Sequence, residues 1–360
     1  MSWTATDHFS IYKQTGMYSA HPCITRSAAG DLSTFFHRSP DHGYSRHSHP
    51  LFDIRVCRSS DGGATWSDPA FVASDPMGGI LDFGAHRLSD GCLFIHASSV
   101  ELLPDRSHNH GAWSSRPGMP FFIRSEDEGQ TWSEPVRFPM LPDSTWGAPA
   151  THSGVCRSSL IETSAGRLLL PAKATDDPEG QMPYFGMIRV SEDQGRSWEY
   201  GGRIAKDPVA HFSEPAAHVT PSGRIIMLYR CHPVPKSGAE DVHLALVESD
   251  DGGASWSLWR PTTLMGSPGH MLGLRDGRIL VTVGTRWEGQ RGCTGRVLDP
   301  EASDIEVAPD FVIRSDSHDP DCGYPWAVET DDGKILVTYY FTHPDGTRGI
   351  EGSIIEEITS

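Results

Sequence analysis

Short apolar runs punctuate this chain, and each follows a tight turn of small or polar residues. LSTFF (32–36) follows Ala29-Gly30-Asp31, LFIHA (93–97) follows Asp90-Gly91-Cys92, and LLLPA (168–172) follows Ala165-Gly166-Arg167. The unit returns as Ser222-Gly223-Arg224 before IIMLY, Asp276-Gly277-Arg278 before ILVTV and Asp332-Gly333-Lys334 before ILVTYY. A turn signal followed by a short apolar or β-branched run reads as a hairpin feeding a buried strand. No long stretch holds a clean helical period. The pattern predicts an all-β chain with six repeats.

A second pattern alternates with the first. Ser59-Ser60-Asp61-Gly62-Gly63-Ala64-Thr65-Trp66 has the form Ser-x-Asp-x-Gly-x-Thr/Ser-Trp. It returns around Asp127, Asp193 and Asp251, at intervals of 66, 66 and 58 residues. Repeats this long at near-constant spacing mark a solenoid or a propeller. Within one copy, Ser and Asp offer acceptors to nearby backbone N–H groups. The fixed Gly supplies a positive φ, and the Trp re-enters the sheet as a large anchor. Each copy therefore predicts a capped hairpin rather than a calcium loop, since it carries too few carboxylates for an EF-hand. Six turn-strand units against four of these boxes predict six four-stranded blades around an axis. The last two blades are expected to lack a box, and the N-terminal segment to complete or cover the last blade. No linker divides the sequence, so residues 1–360 read as one domain.

Composition narrows the partners. The 360 residues carry a formal net charge of −17, which argues against nucleic acid or an acidic membrane as partner. No apolar stretch is long enough to span a bilayer, and the polar N-terminus has no signal-peptide core. The seven cysteines are scattered without a Cys-x-x-Cys pair, which reads as reduced thiols in a cytoplasmic protein. His47-Ser48-His49 and His108-Asn109-His110 lack Cys or carboxylate partners at metal spacing, so they read as pocket or surface histidines. No metal or cofactor is expected.

These motifs resemble the sialidase (neuraminidase) superfamily, whose Asp boxes the four copies match and whose fold is a six-bladed β-propeller. The resemblance covers nearly the whole chain. It implies hydrolysis of a terminal, acidic sugar from a small glycan or glycoside. Glu214, in His211-Phe212-Ser213-Glu214-Pro215, is similar to the family's catalytic glutamate, and Arg230 to its second substrate arginine. Arg291, or alternatively Arg286, is similar to the third. Tyr324, in Gly323-Tyr324-Pro325, is similar to the catalytic tyrosine. The resemblance places the acid/base aspartate in the loop that begins Arg38-Ser39-Pro40-Asp41, giving Asp41, with Asp53 as the alternative. Sialic acid bears a carboxylate on its anomeric carbon, where a carboxylate nucleophile meets like charge and a phenol does not. Arginine forks bind that carboxylate in pairs of hydrogen bonds.

One position departs from the pattern. His21, expected in the substrate cleft, stands where the family's first arginine is expected, so that member of the clamp is either missing or supplied from elsewhere, by Arg26 or Arg38. The departure favours a changed substrate. A glycosidase or lyase for a different sugar, and a non-catalytic glycan-binding propeller, both stay open.

Overall fold

Each turn-strand unit supplies the first hairpin turn and the second strand of a blade of the computed structural model, which describes residues 2–41, 49–75, 78–102, 115–117, 120–142, 157–175, 183–234 and 242–358. In all six turns the central glycine has a φ between +77° and +95°, a region that side-chain-bearing residues resist. Strands then pair antiparallel in chain order, giving six sheets. The first strands of the blades are Met17–Arg26, Gly79–Arg87, Ile161–Glu162, Ala210–Val219, Gly269–Gly273 and Gly323–Glu329. These strands line the axis, and contacts join the first strands of blades 1 and 2, 3 and 4, 4 and 5, 5 and 6, and 6 and 1. Five sheets have four strands, and the second blade adds the short strand Ser115–Pro117. No helix occurs among the described residues, so none is long and apolar enough to cross a membrane.

The apolar runs of adjacent blades face one another. Phe35, Ile54 and Val56 of blade 1 pack with Phe83, Ile95 and Phe121 of blade 2. Ile226 and Leu228 of blade 4 do the same with Val281 and Leu298 of blade 5. The ring closes on the N-terminus: Ser2–Lys13 pairs antiparallel with Arg348–Ile358, from Ser2 opposite Ile358 to Lys13 opposite Gly349, as the outer strand of blade 6. The six described cysteines are buried and free.

All four boxes join the third and fourth strands of blades 1 to 4 and share the bonds made by their Asp and first Ser, while the indole bond of Trp66 is not made by Trp132 or Trp198. In the first, Asp61 accepts bonds from the Thr65 backbone N–H at 2.9 Å and the Thr65 hydroxyl at 2.6 Å. Ser59 Oγ bonds Asp61 and accepts the Gly63 N–H, and the Trp66 indole donates to the Gly63 carbonyl. These bonds hold the carboxyls of Asp61, Asp127, Asp193 and Asp251 down at about 2. Blade 5 was expected to lack a box, yet it keeps half of one. Asp299 accepts the backbone N–H and hydroxyl of Ser303, the same four-residue step, without the glycine and tryptophan. Blade 6 has no box because its outer two strands are the chain's two ends, and no hairpin joins them. Asp193→Ala removes the bonds to Ser191, Arg196 and Ser197. The expected outcome is a melting temperature lower by about 1–2 °C, as the loss of one turn cap gives in a chain of this size. Turnover per folded molecule should be unchanged in the same preparation.

Candidate active site

Three of the axial strands are interrupted in the same way. The ladder between the first and second strands skips from Ala20 to Cys23 in blade 1, from Ser213 to Ala216 in blade 4 and from Gly323 to Trp326 in blade 6. Each skipped pair is a residue followed by proline: His21-Pro22, Glu214-Pro215 and Tyr324-Pro325. Proline has no N–H to give the ladder, so the strand bulges there and re-aims the preceding side chain. His21, Glu214 and Tyr324 accordingly have φ values of +52°, +46° and +56°. Such backbone costs about 1–3 kcal/mol per residue and persists where the surroundings impose it. Gly323 (φ +96°) permits the approach in blade 6, because a Cβ there would lie 3.1 Å from both the Gly284 Cα and the Gly292 carbonyl oxygen.

The bulges bring the three side chains together. The Tyr324 hydroxyl donates to Glu214 Oε1, and Arg230 Nη1 lies 2.7 Å from Glu214 Oε2. The His21 imidazole stacks on the Tyr324 ring, with centroids 3.8 Å apart and planes 13° from parallel. Burial alone would push the Glu214 carboxyl up, but Arg230 and Lys173 bring it to about 2, so it is ionised at neutral pH. Burial, and next the charge of Glu214, push the Tyr324 phenol well above its ordinary value, against the pull of Arg230 and Arg286.

The arginines sort by distance from the axis. Arg286 and Arg291 face each other across the hairpin of blade 5. Arg286 is on the second strand and lies over the Tyr324 ring at 5.2 Å, with its Nε donating to the Cys322 carbonyl. Arg291 is on the third strand, one strand further out, and its guanidinium donates to the His318 carbonyl. Of the two arginines the resemblance offered, Arg286, the alternative, lies against Tyr324, and Arg291, the first choice, does not. Neither candidate for the missing first arginine enters the cluster: Arg38 donates to the Tyr12 hydroxyl, and Arg26 pairs with Asp331 at the other end of the axial strand.

Asp41 is exposed at the end of the strand Leu32–Pro40, and its backbone N–H donates to the Gly16 carbonyl. Asp53 is held by Arg55, whose Nε lies 3.0 Å from both carboxylate oxygens. No contact ties either residue to Tyr324 or Glu214 among the described residues; residues 42–48 and 108–110 lie outside them. His49 accepts the Leu51 N–H. Among the described residues no three His, Cys, Asp or Glu side chains are placed to hold a metal ion.

Three residues of the cluster escape the sequence reading. Asp82, on the axial strand of blade 2, lies 3.9 Å from His21 and 3.7 Å from the ammonium of Lys173. Its signal is a lone carboxylate inside the apolar run Gly79-Ile80-Leu81-Asp82-Phe83. Lys173 has a similar signal at the end of the strand LLLPAKA. Arg157, 1% exposed, donates from Nη2 to the carbonyls of Tyr324 at 3.1 Å and Pro325 at 2.6 Å, and more loosely to Pro22. Its guanidinium also lies over the rings of Tyr324 and Trp326. Nothing in the local sequence marks Arg157.

Residues 43–337 match the family model of the BNR repeat-like domain. A sialidase from Paraclostridium sordellii is 23% identical over 283 residues, which are 74% of this chain and 63% of that protein. The chain spans less than two thirds of the length of the curated sialidases it matches. A Dyadobacter fermentans protein of unknown function superposes with a TM-score of 0.88 at 28% identity, over 99% of both chains. A Penicillium chrysogenum α-L-arabinanase complexed with arabinobiose superposes with a TM-score of 0.69 at 15% identity over 98% of both, which is a likeness of fold alone.

Proposed function

The chain belongs to the BNR repeat-like family of sialidase-like propellers, and from that premise we propose that it is a retaining glycoside hydrolase for a terminal sugar carrying an anionic group. The observation that carries this reading is the Tyr324–Glu214 hydrogen bond, braced by Arg230 on the second carboxylate oxygen. A nucleophile, a base touching its proton and a group orienting the base form the arrangement that covalent catalysis uses. Glu214 takes the phenol proton as the Tyr324 oxygen bonds to the anomeric carbon. Arg230 and Arg286 favour the negative charge that develops on that oxygen. Three cations, Arg230, Arg286 and Lys173, surround the pair and suit an anionic substrate.

A specific feature favours a sugar other than ordinary sialic acid. The His21 imidazole is closed in by Tyr324, His37 and Tyr340, at centroid distances of 3.8, 4.5 and 5.5 Å. It has two nitrogens where a guanidinium offers a fork, so it gives no bidentate clamp. One charged hydrogen bond fewer costs about 1.5–3 kcal/mol, or about one to two decades in affinity. The test is a panel of aryl glycosides of sialic acid, uronic acids and neutral sugars with the purified protein at pH 7. Release from an acidic sugar other than sialic acid, with sialosides at least tenfold poorer, is the expected result. Turnover of neutral sugars alone would sink the anionic-substrate reading. Tight glycan binding without any release would favour a binding propeller.

A further inference from the structure

The axial strands run on past the Tyr324–Glu214 cluster, and their far ends do not meet. There the last residues of the first strands of all six blades ring a cavity of about 440 Å³, a size in the range of small-ligand sites. Thr25, His218 and Val328 on its wall lie four residues beyond His21, Glu214 and Tyr324, which is about 13 Å of strand. We propose that this cavity is a second binding site, for a small acid with a carboxylate or phosphate head, separate from the Tyr324–Glu214 cluster. Such a site is independent of the hydrolase reading, since binding is measured without turnover.

Hydrogen-bonding groups without partners build the wall. Thr25 and Ser159 are 6% and 7% exposed, and neither hydroxyl has a partner among the described residues. The same holds for the buried Nε of Arg26 and of Arg87, which line the cavity from the neighbouring blades 1 and 2. Buried polar groups are normally paired, because leaving one unmet is costly. His270, on the blade 5 side, accepts the Ala327 backbone N–H on Nδ1 at 3.3 Å. Its proton is therefore on Nε2, which donates to no described residue. Burial, the largest cause, pushes the imidazoles of His86, His218 and His270 below their ordinary value. Each is neutral at pH 7 and keeps one N–H.

The kind of unmet group decides the charge of the ligand. Arginine N–H groups and the His270 N–H can only donate, and the hydroxyls can donate as well. Glu162, the one carboxylate on the wall among the described residues, already accepts the N–H and hydroxyl of Ser89 in blade 2. The outer nitrogens of Arg26 and Arg87 pair with Asp331 and Glu128, whose side chains are 68% and 56% exposed. Surface pairs of that kind hold weakly. An oxyanion would meet the free donors with charge-assisted bonds. A cation would find only Glu162, and a neutral group would lose the charge assistance of both guanidinium groups. Ile24, Met271 and Leu272 line the same cavity and give the body of the acid an apolar seat. Arg26, which stays out of the Tyr324 cluster, is thus placed for a different anion.

The test is equilibrium dialysis of the full chain at pH 7 against benzoate and phenyl phosphate, with benzamide as the neutral counterpart of benzoate. At least one acid should bind tenfold or more tighter than benzamide, and the better of the two identifies the head group. Arg26→Met combined with Arg87→Met keeps the apolar stems and removes both guanidinium groups, which should weaken binding about 10- to 100-fold. Thr25→Val keeps the side-chain shape and should weaken it about three- to tenfold. Melting curves show that each variant is folded, and Thr25→Val decides alone if the double variant is not. Arg230→Met, at the Tyr324 end, should leave the affinity unchanged. Binding that survives the cavity variants and is lost in Arg230→Met would put the acid beside Tyr324 and overturn the assignment. Equal affinity for benzamide would overturn the acidic class, and no retention of either acid at millimolar concentration would remove the site.

Discussion

Tyr324→Phe is expected to lower kcat/KM by about 10⁴-fold or more on whichever glycoside the unmodified protein cleaves, because on the proposed mechanism it removes the atom that bonds to the anomeric carbon. The ring, its stack on His21 and its place between Arg157 and Arg286 survive the substitution. Melting should therefore shift by only a few degrees, the change coming from the hydrogen bond that Glu214 loses. Glu214→Gln keeps the shape but cannot take a proton, and removing a base of this kind costs about 10²- to 10⁴-fold. A fluorinated analogue of the cleaved sugar should leave a covalent adduct, found by peptide mass at Tyr324 in the unmodified protein and nowhere in Tyr324→Phe. Activity within tenfold of normal in Tyr324→Phe would end the retaining mechanism. An adduct on a carboxylate would move the nucleophile.

Arg157→Leu is expected to damage both stability and catalysis. The guanidinium is 1% exposed and donates to carbonyls from the bulges of blades 1 and 6. Removing it leaves those carbonyls without their charged donor, which costs about 3 kcal/mol, or about 4 °C of melting temperature in a chain of this size. Because it bonds the Tyr324 carbonyl itself, its loss also frees a residue held at φ +56°. At a temperature where the variant is fully folded, kcat should fall with KM little changed, as expected when the nucleophile is misplaced and not when binding is lost. A variant that loses stability but keeps kcat would make Arg157 a purely structural pin.

Local patterns in the chain carry local information well. The six Gly-centred turns and the four boxes mark their own hairpins, because the glycine φ and the Asp-to-Ser/Thr bonds close within eight residues. Box-free blades 5 and 6 differ for reasons a pattern search does not see. Asp299 and Ser303 form the box bonds without its glycine or tryptophan, and blade 6 has no hairpin at that place. The proline after His21, Glu214 and Tyr324 is a further local sign, since each such pair breaks a strand that otherwise reads as continuous.

The choice between Arg286 and Arg291 shows where local reading ends. They lie across one hairpin from each other, and only the order of strands from the axis puts Arg286 on Tyr324 and Arg291 against His318. Asp41 stands in the loop where the resemblance points, yet contact with the site depends on which blade edge meets the axis. Asp82 reaches His21 and Lys173 from another blade.

Sequence alone, then, determined the all-β class, the six blades and the turn chemistry, since each is written in a few consecutive residues or in their repeat, and the resemblance singled out Tyr324, Glu214 and Arg230, which the fold brings into contact. Tertiary structure decided which charges converge. Glu214, Tyr324, Asp82, Lys173 and Arg157 come from four blades, and their acidities are set by burial and by one another's fields. Those fields depend on distances across the axis, which exist only once the ring has closed.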